Sequence, residues 1–305
     1  MNGPARTVLI TGATGFIGSA LTRALLARGD RVIALSRDSG RARRKLGSEV
    51  EAVATLAVID AARSIDAVVN LAGEPLAGGL WTAARKRRFL DSRVGTTAAV
   101  VDLLARLQRK PEVLINGSAV GYYGERGDDT LDEHDEPRAE FLSELCQRWE
   151  TEAQRAAAFG VRVCLLRSGL VFGRGGGLLA PLLLSTRYGI GAVLGDGRQW
   201  QSWIHIDDEV GLILHLLDHP TMVGAFNAVA PSPVIQRELM QTLAELMHRP
   251  QWLRVPAPAL KLAGEMSVLF LVSQRVLPVF ALEAGYTFKH PELRGALKAI
   301  IAPPG

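Results

Sequence analysis

A glycine-rich loop between a short apolar run and an amphipathic segment constrains the fold of this chain more than any other feature. The run Thr7–Ile10 is β-branched or aliphatic, and it leads directly into Thr11-Gly12-Ala13-Thr14-Gly15-Phe16-Ile17-Gly18. From Ser19 to Ala27 apolar residues recur at helical spacing, and Gly29 follows as a stop signal. A strand, a G-x-x-G-x-x-G loop and a helix in this order predict a turn that binds a dinucleotide.

Each glycine of this loop has a separate task in such a turn. Gly12 allows the tight turn, Gly15 lets the backbone approach a pyrophosphate, and Gly18 lets the helix pack closely against the strand. The free N–H groups at the start of the helix then face the anion. We therefore expect the following residues to bind the cofactor: Gly12, Thr14, Gly15, Phe16, Ile17 and Gly18.

The end of the next strand selects between NAD and NADP. This strand is predicted at Arg31–Ser36, and an acidic residue about 20 residues after the loop would bind the ribose 2′-hydroxyl group of NAD. The chain has Ser36 and Arg37 there, and Asp38 comes one residue too late. Because a hydroxyl and a guanidinium suit a 2′-phosphate, we expect Ser36 and Arg37 to favour NADP(H) over NAD(H).

Strand and helix signals alternate through the first two thirds of the chain. Further buried strands are predicted at 67–70, 113–115, 161–166 and 224–229, and helices at 81–108 and 140–159. This alternation predicts an α/β fold, a Rossmann-type doubly wound parallel sheet of about seven strands. We assign residues 1–172 and 207–229 to the NADP-binding domain. Residues 173–206 and 230–305 are assigned to a smaller, mostly helical C-terminal substrate lobe.

Composition and charge exclude several other classes of protein. With 48% hydrophobic and 22% charged residues the chain is not disordered, and no apolar window long enough for a membrane span occurs. The net charge is only +4, and its basic excess lies in residues 1–45 with the phosphate loop, so nucleic acid is not an expected partner. Cys146 and Cys164 are too few for a disulfide framework or a zinc site. We expect a cytoplasmic monomer or homodimer that binds a small-molecule substrate and no metal.

Five further motifs, together with the glycine loop, resemble those of a known superfamily. They are Asn70-Leu-Ala-Gly73, Gly117-Ser-Ala-Val-Gly-Tyr-Tyr-Gly124, Arg167-Ser-Gly-Leu-Val-Phe-Gly173, Gly195-Asp-Gly-Arg-Gln-Trp-Gln-Ser-Trp203 and Trp203-Ile-His-Ile-Asp-Asp208. With them the chain resembles the extended short-chain dehydrogenases, and more narrowly their atypical epimerase-like branch, over nearly its whole length. Members of this branch are described mostly as epimerase-like, and some carry a cell-division-inhibitor label.

The resemblance implies further residues at the cofactor. Leu71, Ala72 and Gly73 would line the adenosine-ribose side, and Phe172 would pack near the nicotinamide. Arg93 would lie beside the same cleft, with a salt bridge at a helix end as the alternative role.

The resemblance also implies residues at the substrate. Ser118 would hydrogen-bond the substrate oxygen at the end of a central strand, although counting back from Tyr123-Gly124 places the usual position on Ala119. The segment that holds substrate in extended members contains Gln199, Ser202, Trp203 and His205. For the residues 205–208 a capped helix start is expected rather than a metal site.

The usual catalytic pair of this superfamily is missing. A Tyr acts there as acid and base, and a Lys four residues later on the same helix face lowers its pKa. No Tyr-x-x-x-Lys occurs in the chain, and Leu142 and Cys146 stand at the two positions. The candidates for the lost function are therefore Ser118, Tyr122 and Tyr123, with the Cys146 thiol as a weak alternative acid.

Two functions are compatible with these features. The first is an NADP(H)-dependent, epimerase-like oxidoreductase that acts on a small polar substrate. The second is a non-catalytic NADP(H)-binding protein whose cofactor occupancy regulates a partner, in line with the cell-division label of some members. The absent Tyr/Lys pair favours the second function, and the intact cofactor loop with the polar segment 195–208 favours the first.

Overall fold

In the computed structural model, which describes residues 5–262 and 264–302, strands and helices alternate along most of the chain. The strands are β1 (Thr7–Thr11), β2 (Arg31–Leu35), β3 (Glu51–Val53), β4 (Ala67–Asn70), β5 (Val113–Ala119), β6 (Thr130–Leu131), β7 (Arg162–Ser168), β8 (Leu170–Phe172), β9 (Ala192–Leu194), β10 (Trp200–Gln201), β11 (Trp203–His205), β12 (Gly224–Ala228), β13 (Val234–Ile235), β14 (Leu253–Val255) and β15 (Arg275–Val276). The helices are α1 (Phe16–Ala27), α2 (Ser39–Leu46), α3 (Ala83–Leu90), α4 (Thr96–Arg106), α5 (Phe141–Gln154), α6 (Leu179–Arg187), α7 (Ile206–Asp218), α8 (Gln236–Leu246), α9 (Ala257–Lys261), α10 (Val268–Leu271), α11 (Val279–Glu283) and α12 (Leu293–Ile301).

Seven of the strands form one parallel sheet, in the order β12-β7-β5-β4-β1-β2-β3. The alternating residues of β1 explain why helices cover both faces. Val8 and Ile10 pack with α1 and α7, whereas Leu9 points to the opposite face and packs with α4. The predicted α/β fold with a doubly wound parallel sheet is confirmed. The short strand β3 lacked a strand signal in the sequence, and its pairing with β2 supplies the seventh member.

The strand order reverses between β1 and β4, which places the glycine loop at a crevice. Loops that follow β1 and β4 run to opposite sides of the sheet there, so the carboxyl ends of these strands border an open groove. Residue Ala72 donates its N–H to the Thr11 hydroxyl at 3.1 Å, which fixes the chain after β4 next to the end of β1. The fold therefore puts residues 11–18 and 71–73 side by side.

The predicted helix over 81–108 is divided into three parts. Helix α3 ends at Leu90, a π-helical turn covers Asp91–Gly95, and α4 begins at Thr96. The side chain of Thr97 donates to the Arg93 carbonyl at 2.8 Å inside this wider turn. Because a π turn adds a residue to the helix, it changes the direction of the side chains around it, and such turns are frequent at functional sites.

Much of the C-terminal region has an apolar core of its own. Helices α6, α8 and α12 contribute to a cluster of buried side chains around Phe172 and Trp203. Segment 281–288 departs from this arrangement, because Ala281, Tyr286 and Phe288 pack into the core between the sheet and α7. The division into two domains stays a prediction, and this segment is one place where the two regions pack together.

Within the described ranges 5–262 and 264–302, no helix has both the length and the hydropathy that crossing a bilayer requires.

Candidate functional site

The glycine loop has the geometry of a phosphate cradle. Gly12 has φ +68°, and a Cβ atom at this position would lie 2.6 Å from the Leu71 carbonyl oxygen. A Cβ atom at Gly18 would overlap the Gly12 carbonyl oxygen, so neither position accepts a side chain. Gly15 is the N-cap of α1 and supplies no side chain to cap it. The first N–H groups of α1 are therefore left for an anion.

A pocket and an exposed cation lie beyond the end of β2. A cavity of about 480 Å³ is lined there by residues that include Leu35, Arg37, Thr55 and Thr96. Arg37 is exposed. Asp38 caps α2 by accepting the Arg41 N–H at 2.8 Å, so one of its carboxylate oxygens is already engaged within the protein.

Lys45 is a basic residue at this site that the sequence did not single out. Its Nζ atom donates to the Thr14 carbonyl oxygen at 2.6 Å, although the two residues are 31 positions apart. The ammonium group therefore lies directly against the glycine loop. The local signal was a run of three basic residues at the end of α2, Arg43-Arg44-Lys45, within which no spacing rule distinguishes Lys45 from its neighbours.

Arg93 borders the chain that follows β4, and its place at the cofactor stays a prediction. A Cβ atom at Gly73 would lie 3.1 Å from the Arg93 guanidinium carbon, and this guanidinium lies 5.4 Å from the ring centroid of Trp149. Burial lowers the pKa of Arg93, although Cys146 and Glu74 act in the opposite direction. No carboxylate forms an ion pair with Arg93 in the part of the chain that the structure describes, so its surroundings fit the cleft better than a helix-end salt bridge.

Ser118 and Tyr123 are members of a buried network at the end of β5 and β7. The Ser118 hydroxyl donates to Glu150 Oε1 at 2.6 Å, and Arg167 donates to both Glu150 oxygens at 2.9 Å. Arg167 also donates to the Tyr123 hydroxyl at 3.0 Å, which in turn donates to Asn227 Oδ1 at 2.8 Å. Every one of these side chains therefore has a partner within the protein.

The three candidate acid/base residues differ in their access to a ligand. Tyr123 is fully buried, and burial raises its pKa to about 12. Ser118 is 6% exposed, and its hydrogen is directed to Glu150. Tyr122 is only half-buried, and its ring lies 3.4 Å from the Arg167 guanidinium carbon. Burial raises the pKa of Tyr122 although Arg167 lowers it, so the phenol is protonated at neutral pH and can act as a donor.

Leu142 and Cys146 occupy the side of α5 that faces this cluster. A Cβ atom at Gly121 would lie 3.5 Å from Leu142 Cβ and 4.0 Å from Cys146 Sγ, so both residues border the turn that carries Tyr122. Burial, together with the Glu150 carboxylate, raises the pKa of the Cys146 thiol to about 12. The thiol is therefore neutral at pH 7 and cannot replace a lysine ammonium.

Neither cysteine should react with an alkylating agent in the folded protein. Burial also raises the pKa of Cys164, to about 11. Because the thiolate is the nucleophile, labelling of Cys146 by iodoacetamide at pH 8 is expected to be at least about 10²-fold slower than in the unfolded chain. Mass spectrometry of native and urea-unfolded protein measures both rates. Rapid modification of Cys146 in the native protein would instead indicate an accessible thiolate at the cleft.

The structure gives the expected substrate residues partners inside the C-terminal region. The Gln199 amide donates to the carbonyl oxygens of Leu194 and Phe270, at 3.0 and 2.9 Å. Ser202 donates to Gln274 O at 2.7 Å and accepts the Val276 N–H at 2.8 Å. Through these hydrogen bonds the two side chains hold residue 194 and segment 270–276 in place. Neither of them lines a second cavity, of about 440 Å³, at the start of α5.

The aromatic pair expected near the cofactor and substrate is also internal. Trp203 and Phe172 are both fully buried and stack at a centroid distance of 5.8 Å. The Trp203 indole donates to the Ser232 carbonyl oxygen at 3.0 Å. The sequence alone could not distinguish core packing from ligand contact at these positions. Two aromatic residues that stack in a core and two that line a pocket give the same pattern in the sequence.

His205 begins α7 as a cap, as predicted. Its Nδ1 atom accepts the Asp207 N–H at 3.1 Å. One ligand atom each of His205, Asp207 and His290 lies within 4.8 Å of the others. However, the lone pair of Nδ1 is already used by the cap, so the other ring nitrogen carries the proton in the neutral ring. This arrangement stabilises a helix start and does not favour a metal.

Glu209 is a buried carboxyl group that should make stability depend on pH. Ser168 donates to its Oε1 atom at 2.6 Å, and Oε2 has no partner among residues 5–262 and 264–302. Burial raises the pKa of Glu209 to about 7. The folded state thus holds this proton more tightly than the unfolded state. The resulting stability is fully present below pH about 4.5 and is lost as the pH rises through about 7.

Replacing Glu209 with glutamine should therefore remove one component of the pH dependence. The free energy of unfolding of Glu209→Gln is compared with that of the unaltered protein at each pH. As the pH is raised from 4.5 to 8, this difference should shift by up to about 3 kcal/mol in favour of the variant. Urea unfolding at several pH values gives this difference. Glu238→Gln, an exposed glutamate on α8, is the matched control and should give a constant difference. A constant difference for Glu209→Gln as well would contradict the assigned titration.

Comparisons with known proteins agree with this geometry. Residues 8–229 match the NAD dependent epimerase/dehydratase family, and residues 255–300 match a domain of unknown function, DUF1731. An Arabidopsis thaliana relative, "Epimerase family protein SDR39U1 homolog, chloroplastic", is 39% identical over 97% of this chain and 86% of its own length. The "Epimerase family protein YfhF" of Bacillus subtilis is 37% identical over 97% of this chain and 98% of its own.

This chain is also similar to solved structures of epimerase-family proteins. The human epimerase family protein SDR39U1, crystallised with NADPH, has a TM-score of 0.88 at 33% identity over 96% of this chain and 98% of that one. A nucleoside-diphosphate sugar epimerase from Corynebacterium glutamicum has a TM-score of 0.78 at 30% identity, covering 97% of this chain and 58% of the other. The resemblance to the epimerase-like short-chain dehydrogenases is confirmed, and the chain belongs to the NAD dependent epimerase/dehydratase family.

Proposed function

We propose that this protein is an NADP(H)-dependent oxidoreductase of the epimerase-like branch. The observation that carries the proposal is the glycine loop, in which side chains are excluded at Gly12 and Gly18 and the N–H groups at the start of α1 are uncapped. The human relative crystallised with NADPH supports the choice of cofactor. NADPH would supply a hydride to the substrate when it is bound.

The residues around the loop fit such a cofactor. The backbone of Thr14, Phe16 and Ile17 would hold the pyrophosphate, with the Lys45 ammonium adding positive charge at the Thr14 carbonyl. Ser36 and Arg37 would hold the 2′-phosphate, since both follow β2 and Arg37 lines the adjoining cavity. Leu71, Ala72 and Gly73 would border the ribose, with Arg93 behind them.

Chemistry at the substrate would depend on the residues near α5. Tyr122 is the half-buried member of the candidate trio, and its protonated phenol can donate to a developing alkoxide. Ser118 and Tyr123 would act through Arg167 and Glu150, which hold the Tyr122 ring in position. Without a lysine to lower the phenol pKa, turnover should be slow.

The cofactor preference can be reversed by one change. Arg37→Asp is expected to weaken NADPH binding by about tenfold to hundredfold, because a charge-assisted contact of about 1.5–3 kcal/mol is lost. NADH binding should be unchanged or improved. Isothermal calorimetry with both cofactors measures this, and Arg41→Asp, another exposed arginine nearby, is the control. Equal losses of NADPH affinity in the two variants would show that Arg37 only adds positive charge to this region and does not contact the 2′-phosphate.

A second function has a specific observation in its favour. Leu142 and the neutral Cys146 thiol replace the usual catalytic pair, which suits a non-catalytic NADP(H)-binding protein that regulates a partner. Spectrophotometric measurement of NADPH oxidation with a panel of carbonyl compounds and nucleotide sugars separates the two. Oxidation above the rate without substrate supports the oxidoreductase. Tight NADPH binding with no oxidation by any compound supports the binding protein.

A further inference from the structure

A cavity at the start of α5 adjoins the proposed active site. Its volume is about 440 Å³, within the range of pockets that bind small molecules. Leu142 is both a wall of this cavity and a neighbour of Gly121, and Cys146 follows it one helical turn later. The cavity therefore lies next to the turn that carries Tyr122.

The walls of the cavity are mainly apolar. Aromatic rings and aliphatic side chains from three separate segments face it: Trp81, Phe141, Leu142, Val268, Leu271 and Val272. Trp81 and Phe141 also pack edge to face, with their centroids 5.7 Å apart, so this side of the cavity is preformed. A polar ligand that enters the cavity loses hydrogen bonds to water, and a preformed apolar wall offers few groups that could replace them.

The ionisable groups of the cavity wall are carboxylates. They belong to Glu125, Glu140 and Glu265. The Glu125 carboxylate accepts the N–H groups of Ser273 and Gly127, at 2.8 and 2.9 Å, which holds its charge in place. Lys86 lies near the rim, but its ammonium is paired with Glu265 and lies over the Phe141 ring. A ligand with a pyrophosphate would therefore meet like charge here.

We propose that this cavity binds an uncharged, largely apolar carbonyl compound, or the corresponding alcohol, in place of a nucleotide sugar or other polar substrate. This inference rests on the proposed oxidoreductase function. In the reduction, the carbonyl carbon receives a hydride from NADPH and the oxygen receives a proton from the Tyr122 phenol, which then takes up a proton from solvent. One NADPH is thereby converted to NADP⁺ for each alcohol formed. The apolar walls bind the hydrocarbon part of the compound, and its carbonyl group is oriented towards Tyr122.

An apolar cavity predicts a dependence on chain length. Each methylene group that enters it contributes about 0.8 kcal/mol, which corresponds to about a fourfold gain in affinity. The NADPH-loaded protein is titrated with methyl ketones from butan-2-one to octan-2-one, and with UDP-glucose, and binding is followed by ligand-observed NMR. We expect affinity to rise about fourfold per methylene group, and UDP-glucose to bind more weakly than octan-2-one.

A charge placed on the wall provides the matched comparison. Val268→Lys should weaken octan-2-one binding at least about tenfold, whereas Val223→Lys, at a position 64% exposed and outside this cavity, should have no effect. Val268→Ser is the milder variant if the lysine impairs folding, and thermal unfolding checks all three.

Any of four outcomes would overturn the inference. They are no ketone binding at all, no dependence on chain length, tighter binding of UDP-glucose than of octan-2-one, and equal ketone affinities in Val268→Lys and Val223→Lys. The panel of carbonyl compounds and nucleotide sugars described above distinguishes these outcomes from failure of the proposed function. If the oxidoreductase function fails, no compound of the panel oxidises NADPH, whereas failure of the cavity assignment alone leaves NADPH oxidation by another compound, such as a nucleotide sugar, intact.

Discussion

Replacing Gly15 with valine is expected to weaken NADPH binding by about 10²- to 10⁴-fold and to leave the fold intact. A Cβ atom at Gly15 would have one close neighbour, the Gly12 carbonyl oxygen at 3.0 Å, and φ of −71° suits any residue. The side chain would instead occupy the space through which a pyrophosphate approaches the N–H groups of α1. Loss of two charge-assisted hydrogen bonds, each about 1.5–3 kcal/mol, gives the expected range.

Two further glycine variants make this result specific. Gly295→Val lies in α12, where a Cβ atom would meet no atom within 4 Å other than the neighbouring backbone of the helix. It should leave NADPH binding unchanged and alter stability by less than about 1 kcal/mol. Gly18→Ala should lower both, because its Cβ atom would overlap the Gly12 carbonyl oxygen. Calorimetry gives the affinities and urea unfolding the stabilities. Unchanged NADPH affinity in Gly15→Val would mean that the loop does not hold the pyrophosphate.

Breaking the buried ion pair between Glu150 and Arg167 is expected to destabilise the protein by about 3–5 kcal/mol. The two side chains are 9% and 6% exposed, and Arg167 contacts both carboxylate oxygens. In Glu150→Gln the guanidinium stays buried without its counter-charge, and Ser118 loses a charged acceptor. The free energy of unfolding from urea titrations measures the effect.

The matched control is on the same helix. Glu152→Gln removes an ion pair with Arg155, whose side chain is 56% exposed, and should change stability by no more than about 1 kcal/mol. A loss in Glu150→Gln as small as in this control would indicate that the network around Ser118 and Tyr123 is not a structural element. Those two residues would then regain their place as candidates for direct contact with substrate.

Local signals in the sequence were sufficient for the sheet and the cofactor loop. The G-x-x-G-x-x-G spacing at residues 12–18 and the apolar runs of β1, β2, β4, β5 and β7 follow from short-range constraints of backbone and burial. Strand β3 was missed because it is only three residues long and not fully buried. The π turn at Asp91–Gly95 was missed because it keeps a helical pattern on both sides.

Side-chain partners that are distant in sequence could not be predicted in the same way. Ser118 and Arg167 each belonged to a recognised motif, but no spacing rule joins these residues, which lie on two strands, to Glu150 on a helix. The same reason applies to Gln199 and Ser202, which hold the backbone of segment 270–276 and were expected at the substrate. Lys45 reaches the glycine loop across 31 positions, which only the packing of α2 against α1 establishes.

A crystal structure of the protein with NADPH tests the central claim most directly. We expect the pyrophosphate at the N–H groups of Phe16 and Ile17, and the 2′-phosphate within hydrogen-bonding distance of Arg37. The nicotinamide should face the cavity beside Leu142, with an open path to Tyr122. A nicotinamide ring covered by protein on both faces, or a 2′-phosphate far from Arg37, would contradict the account of an NADP(H)-dependent oxidoreductase.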